Sequence, residues 1–388
     1  MRIPTEKAHG LQIVKMCEAF TQLGIEVQLI VPFRRQSPQM QQVESVWEYY
    51  EVMSPFPIQQ LPSPDFILFD KILPMGLSQA LYVVQSLIFA LMAAVKTMRT
   101  ENIYYTRDWY VLFILALAKR WHGRRIFFEV HEIHGAAHPK LLRWLLRHID
   151  GLIVITQALH AYYEQCGMAA EKIIVAADGI DERRLTQQIP KEDACKQLGV
   201  PPDKTIICYT GHLFGWKGVY TLAEAMRDLP DEYWLYIVGG MEADRQALQH
   251  FIAEQRLPRI TLVGHVPYHA VPCYLTAADV LILPNSGTVN ISRECTSPLK
   301  LFEYMAAQRP IVASDLPSLR EVLRDGENAC LVPPDDPLAL AAGIQRVMCD
   351  PAMQTQLVER AYSDAQAYTW NNRAKKIVTA IERTIHAS

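Results

Sequence analysis

Four short stretches carry residue types that could hold a phosphorylated ligand. In Ser297-Pro298-Leu299-Lys300-Leu301-Phe302-Glu303, Ser297 suits an N-cap and Pro298 the first helical position. The amide groups and dipole of such a helix start, here at Ser297, Leu299 and Lys300, attract anions. Lys300 and Glu303 are three apart and share one face. A cation for phosphate and a carboxylate for ribose hydroxyls suit a nucleotide; the pair equally fits an i,i+3 salt bridge. The second stretch, Gly211-His212-Leu213-Phe214-Gly215-Trp216-Lys217-Gly218, follows a strand and opens a helix. Gly211 and Gly218 permit a tight turn, and His212 and Lys217 supply donors. It is neither a P-loop nor GxGxxG, and alone it reads equally as a solvated basic loop. Both stretches leave C-terminal strand ends of one sheet, where open α/β folds bind ligands, and that coincidence favours a site. The third, Glu129-Val130-His131-Glu132, puts His131 at a strand end, either against substrate or without a task. The fourth, Glu6-Lys7-Ala8-His9-Gly10, precedes a helix, where Gly10 would let backbone approach a phosphate or sugar.

Alternating strands and helices must position these groups. Thr205–Gly211, Tyr233–Gly239, Ile260–Val266, Val280–Pro284, Pro310–Ser314 and Cys330–Pro333 read as strands, with helices over Val219–Leu229 and Glu242–Gln255. That alternation predicts a parallel sheet covered on both faces. In the first half, Ala8–Gly24 reads as a helix, and strands are expected at 25–31, 103–106, 126–130, 151–155 and 172–176. The expected fold class is α/β, two Rossmann-like doubly wound domains, with a boundary in the polar stretch Thr186–Asp193. Met1-Arg2-Ile3-Pro4 is already loop, so the first strand of the N-terminal domain is expected to be absent or a stub. Either the start lies upstream, or the chain is unstable or inactive.

The 388 residues fit two domains, and half are hydrophobic, enough for full cores. A net charge of −3 argues against a nucleic-acid partner. Eight cysteines form no CxxC pair or zinc-like cluster, which predicts a reducing, cytoplasmic setting and no structural metal. No signal peptide is recognised at the start. The apolar run Leu81–Val95, broken by Gln85 and Ser86, is too short to span a bilayer and reads as a buried helix, with a membrane-dipping segment as the alternative. His138–His148 is basic on one side and apolar on the other. It suits a surface helix of the sheet domain, or peripheral contact with the inner face of an anionic membrane.

Taken together, these motifs resemble the retaining, nucleotide-sugar-dependent glycosyltransferases of the GT-B fold, the group 1 family, over essentially the whole chain. The resemblance implies two domains facing a cleft: 1–186 on the acceptor side, 187–365 binding the nucleotide sugar, and 366–388 crossing back, with Tyr368-Thr369-Trp370 at the crossing. Gly211–Gly218 is similar to the family loop whose Arg and Lys hold the donor diphosphate; Lys217 matches, and His212 stands where Arg is usual. Glu303 matches the second Glu of the E-x7-E element, implied to bind ribose. The first falls on Cys295, with Glu294 one residue off register. Gly264 and His265 resemble the segment flanking the donor base, and His131 the His near the reacting sugar. Gly10 resembles the glycine of the acceptor loop.

The implied reaction moves a sugar from a nucleoside-diphosphate donor to a glycan, lipid-linked or small-molecule acceptor with retention. His131, Lys217 and His212 are the candidate catalytic residues. Gly10, Gly211, Gly264, His265, Glu294, Ser297, Leu299, Lys300 and Glu303 are the candidate donor-binding set. No DxD-like element ends a strand, so no essential metal or other cofactor is expected. The alternatives are a catalytically impaired binding protein of the same fold and a GT-B enzyme such as a sugar-nucleotide epimerase or phosphorylase.

Overall fold

Buried runs rich in Val, Ile and Leu form parallel strands whose crossover helices cover both faces. The computed structural model describes residues 2–38, 40–66, 74–98, 103–186, 189–201 and 203–386. These form two compact units, one of residues 1–176 with 373–388 and one of 177–372.

The first unit holds two parallel sheets. One pairs β1 (Leu29–Pro32) with β2 (Ile58–Leu61). The other runs in the order β3 (Tyr104–Thr106), β4 (Ile126–Val130), β5 (Gly151–Val154), β6 (Ile173–Val175). Among the described residues no strand precedes the helix Ala8–Gln22, which is the first element. The predicted strand at 25–31 is displaced toward Pro32. β2 escaped the sequence pattern, because Gln59 and Gln60 interrupt its apolar residues.

The second unit is one six-stranded parallel sheet. Its order is β12 (Cys330–Val332), β11 (Ile311–Ser314), β10 (Val280–Leu283), β7 (Thr205–Thr210), β8 (Tyr233–Val238), β9 (Ile260–Gly264). Successive residues of β7 feed opposite cores. Ile206 and Cys208 join Leu301, Phe302 and Met305 on one face; Ile207 and Tyr209 join Val219, Leu222 and Ile344 on the other.

Three expectations need correction. The division falls after Ala176, not near 186, because Ile180 exchanges backbone hydrogen bonds with Tyr368 and Trp370 inside the second unit. The return to the first unit falls at Arg373 rather than 366, within the helix Trp370–His386. Leu81–Val95 lies in the longer helix Met75–Thr97, whose apolar residues are largely exposed instead of buried. The helix Pro139–Leu146 buries Leu142, Leu145 and Leu146 within its own unit, while Leu141 and Trp144 are half-buried.

Candidate active site

The C-terminal ends of β7 and β10 carry the two basic stretches, and the backbone locks them together. Gly218 has a φ of 72°, and a Cβ there would lie 1.6 Å from the Pro284 carbonyl oxygen. Only glycine lets the first loop settle on the end of β10 in that conformation. The Ser286 N–H donates to the Trp216 carbonyl at 3.0 Å, and the Ser292 hydroxyl to the same oxygen at 3.4 Å. A Cβ on Gly211 would stand 3.6 Å from the Lys300 Nζ. Residues 211–218 and 284–300 therefore lie together at one edge of the sheet.

Two ammonium groups dominate it. Lys300 is buried, its Nζ lies over the Tyr209 ring at 3.6 Å, and that atom has no hydrogen-bond partner. Burial, then repulsion from Lys217, pushes Lys300 well below the ordinary lysine value, against the attraction of Glu303. The Lys217 Nζ sits 3.9 Å from the Trp216 ring centroid, and burial brings its pKa down to about 7. With so little compensation, both amines carry their charge at a cost that an anion of more than one charge would relieve. The helix Leu299–Ala306 begins beside them with no side-chain cap. Ser297 is not that cap: its hydroxyl accepts from the Asp178 N–H at 3.1 Å, and Pro298 takes the N-cap position. The first-turn amides are thus left facing the lysines' end of the helix.

Deeper on the same helix, burial raises the Glu303 carboxyl, opposed by Arg184, a hydrogen bond from Tyr268 and Lys300. The Arg184 guanidinium stacks over Tyr268 at 4.8 Å. Arg184, Tyr268 and Glu303 line a cavity of about 80 Å³ with the apolar Val271 and Leu275. Sequence reasoning missed Arg184 and Tyr268, which lie 35 or more residues from Glu303 in the chain. It also missed Asn285, fully buried at the end of β10 with neither amide atom bonded.

The remaining candidates stand apart from this cluster or serve the fold. The His212 ring stacks on Phe214 at 5.0 Å, and Phe214 on Trp216 at 6.3 Å, so the loop carries an aromatic row. Gly264 ends β9 with a φ of 85°, its carbonyl accepting from the Gly239 N–H, and His265 is exposed beyond it. The Glu294 carboxylate pairs with Arg293 at 3.1 Å. Cys295 is buried.

His131 and Gly10 belong to the first unit. The His131 Nε2 meets the Glu129 carboxylate at 2.5 Å. Glu129 is buried and also receives Gln12 at 2.8 Å, Arg373 at 3.0 Å and the Tyr105 hydroxyl. Burial alone would raise this carboxyl; Arg373, the His131 hydrogen bond and Arg107 outweigh it and hold it well below the usual range. Glu129 therefore fixes the His131 ring. The space beside Gly10 is protein: a Cβ would meet Thr5 Cγ2 at 2.3 Å and the Tyr50 hydroxyl at 2.6 Å. That glycine is required by packing under Tyr50, a correction to its reading as an open ligand contact.

Two family models match the chain: "Glycosyl transferases group 1" over residues 204–350 and "Glycosyltransferase Family 4" over 10–184. The chain is 27% identical over 217 residues to the D-inositol 3-phosphate glycosyltransferase of Xylanimonas cellulosilytica, covering 54% of this chain and 50% of that one. It is 27% identical over 283 residues to the phosphatidyl-myo-inositol mannosyltransferase of Mycobacterium leprae, covering 66% and 73%. The first of these matches thus spans half the relative's length. Among solved structures, Anabaena Alr3699/HepE in complex with UDP and glucose superposes with a TM-score of 0.75 at 17% identity, covering 99% of this chain and 98% of that one. The sucrose-phosphate synthase of Thermosynechococcus elongatus superposes with a TM-score of 0.75 at 21% identity, covering 98% and 94%. At these identities the structures establish the two-domain Rossmann-like fold.

Proposed function

The chain belongs to the group 1 glycosyltransferases, and on that premise we propose that it transfers a sugar from a nucleoside-diphosphate donor to a glycan, lipid-linked or small-molecule acceptor, with retention of anomeric configuration. The observation that carries the proposal is the buried Lys300 amine, without a hydrogen-bond acceptor, beside Lys217 at an uncapped helix start. A diphosphate supplies the missing counter-charge and accepts from the free amides. As the glycosidic bond breaks, charge builds on the β-phosphate, and donors already aimed at it stabilise that charge without reorganising. In a retaining transfer the acceptor attacks from the leaving-group side, so the departing phosphate oxygen takes the acceptor proton. Glu303 holds the ribose hydroxyls in place of its present Tyr268 partner. The chemistry asks for no metal, because Lys217 and Lys300 take the place of a cation at the diphosphate. A small-molecule or lipid-linked acceptor agrees with the names of the relatives, which specify D-inositol 3-phosphate and phosphatidyl-myo-inositol, and the setting we propose is the cytoplasm.

A panel of UDP-, GDP- and ADP-sugars read by thermal shift identifies the donor, since a ligand that binds only the folded chain raises its melting temperature. Release of nucleoside diphosphate on adding acceptor then separates transfer from mere binding. Lys217→Ala is expected to lower turnover about 100-fold or more, by analogy with loss of one oxyanion donor. Near-normal turnover at saturating donor rejects the assignment. Donor binding with no release under any acceptor gives the impaired binding protein instead.

A further inference from the structure

The helix Met75–Thr97 is amphipathic the wrong way round for a helix covered only by water. Its inner face buries Gln85, Ser86, Phe89, Ala90, Ala93 and Ala94. Gln85 is tied down there, accepting from the Arg34 guanidinium at 2.9 Å and the Phe66 N–H at 2.8 Å. Its outer face carries Leu77, Val84, Ile88, Leu91 and Val95, spaced seven, four, three and four residues apart, a continuous helical stripe. Leu91 is 55% exposed and Val95 61%. The helix contains no Asp or Glu.

One end of this stripe meets a second exposed feature. The Tyr104 hydroxyl donates to the Thr97 carbonyl at 3.1 Å, and the Tyr104 ring packs edge-on against His122 at 5.2 Å. The C-terminal ends of Met75–Thr97 and Trp109–His122 therefore converge. There Trp121 is 79% exposed, with Leu117 one turn before it on the same face. Lys96 and Arg120 are exposed at these ends. Of the cations in residues 75–125, Lys119 and Arg125 pair with Asp150 and Arg107 with Glu129, while Lys96, Arg120 and Arg124 stand at or just beyond the two helix ends.

We propose that this face of the first unit lies on an anionic bilayer surface, with the stripe Leu77–Val95 and Trp121 entering the headgroup–acyl boundary and the basic helix ends meeting the lipid charges. Each part has its cause. Apolar side chains leave water, an indole prefers the interfacial layer, and Lys or Arg near the surface gains attraction to anionic lipid. The buried Gln85 and its bond to Arg34 hold the helix against its unit, so it rests on the membrane and does not thread through it. The proposal stands whatever the acceptor is, and so it can fail while the donor site survives.

The test is flotation of the full chain with vesicles of phosphatidylcholine alone and of phosphatidylcholine mixed with phosphatidylglycerol. The chain is expected to float with the mixed vesicles, more weakly with the neutral ones, and less as salt is raised. Val84→Glu with Leu91→Glu should cut binding by about tenfold per site, using the tenfold per 1.4 kcal/mol equivalence. Melting temperature and donor binding should not change, since both side chains face outward. Lys96→Glu with Arg120→Glu should abolish the preference for anionic vesicles alone. Failure to float with either vesicle overturns the proposal. So does a solution dimer that the Val84/Leu91 pair converts to monomer, which would show the face covered by a second copy. Retention on vesicles after alkaline extraction overturns the surface placement in favour of a spanning helix.

Discussion

Donor binding should consume protons. In the empty site burial holds Lys217 at about 7, against an ordinary value of 10.5. Lys300 is displaced in the same direction. The two phosphates of a sugar nucleotide are fully ionised across the neutral range, so their charge restores both ammonium forms on binding. The groups facing the pair do not offset this: Glu303 is itself titrated upward by burial, and burial pushes the Cys208 thiol up to about 12, which leaves it neutral. With a free-site value of about 7, Lys217 is roughly half protonated at pH 7 and a tenth at pH 8. Its contribution alone should raise the donor Kd about fivefold from pH 7 to 8 and about ninefold over the next unit. Lys300 adds to the same slope. Isothermal titration in buffers of different ionisation enthalpy, such as phosphate and Tris, reads the protons taken up directly. Lys217→Arg keeps its charge throughout and should flatten the Lys217 part of the dependence. Equal heats in both buffers with a Kd that stays level from pH 7 to 9 would refute the reasoning.

Glu303→Ala should weaken donor binding more than it slows chemistry, and an unchanged donor dissociation constant would reject its assignment to the ribose. Gly218→Ala puts a Cβ into the Pro284 carbonyl at 1.6 Å in a left-handed backbone conformation, so a loss of more than about 2 kcal/mol in urea unfolding is expected; a stable variant with wild-type donor binding would show that the two loops are not locked there. Arg373→Met removes the main partner of the buried Glu129 and should cost about 3–5 kcal/mol. Because the Glu129 pKa is lowered in the folded chain, its stabilisation is present above the unfolded carboxyl value of 4.5 and fades as pH falls through the folded one. The variant should therefore lose much of the acid sensitivity along with the stability, which pH-dependent melting curves will show or contradict.

What the sequence disclosed and what it hid divide along physical lines. The second unit's strands stand within two residues of their predicted ends, because runs buried on both faces, such as Val280–Leu283, leave a strong local pattern. The pairing of the 211–218 and 297–303 stretches was legible because a parallel sheet delivers both to one edge. The partners of Glu129 were not legible. Gln12 lies 117 residues away and Arg373 244, and nothing local marks either as the counterpart of a strand-end carboxylate. Gly10 was legible as a constraint but misassigned in cause, since the Tyr50 ring that fills its Cβ space sits 40 residues on. The helix Met75–Thr97 misled for a different reason. Apolar composition measures preference for leaving water and is silent on whether protein or lipid receives the side chains.

The lysine pair also sets stability against function in the second unit. Below about pH 7 Lys217 is charged and incompletely solvated, and Lys300 is buried against the Tyr209 ring with no hydrogen-bond acceptor. A depressed lysine pKa means that folding is opposed while the group must be charged, and that the penalty is relieved as pH rises toward the unfolded value near 10.5. Replacing Lys300 by Met keeps the stem's packing on Tyr209 and removes the charge. The empty chain should then melt higher by about 4–8 °C at neutral pH, taking about 2 kcal/mol for a unit of this size. The same variant should lose the donor-induced shift. A pure packing role for Lys300 predicts the opposite, an unchanged or lower melting temperature with donor stabilisation retained. Only a site whose charges await an anion gives both a more stable empty chain and a silent response to donor.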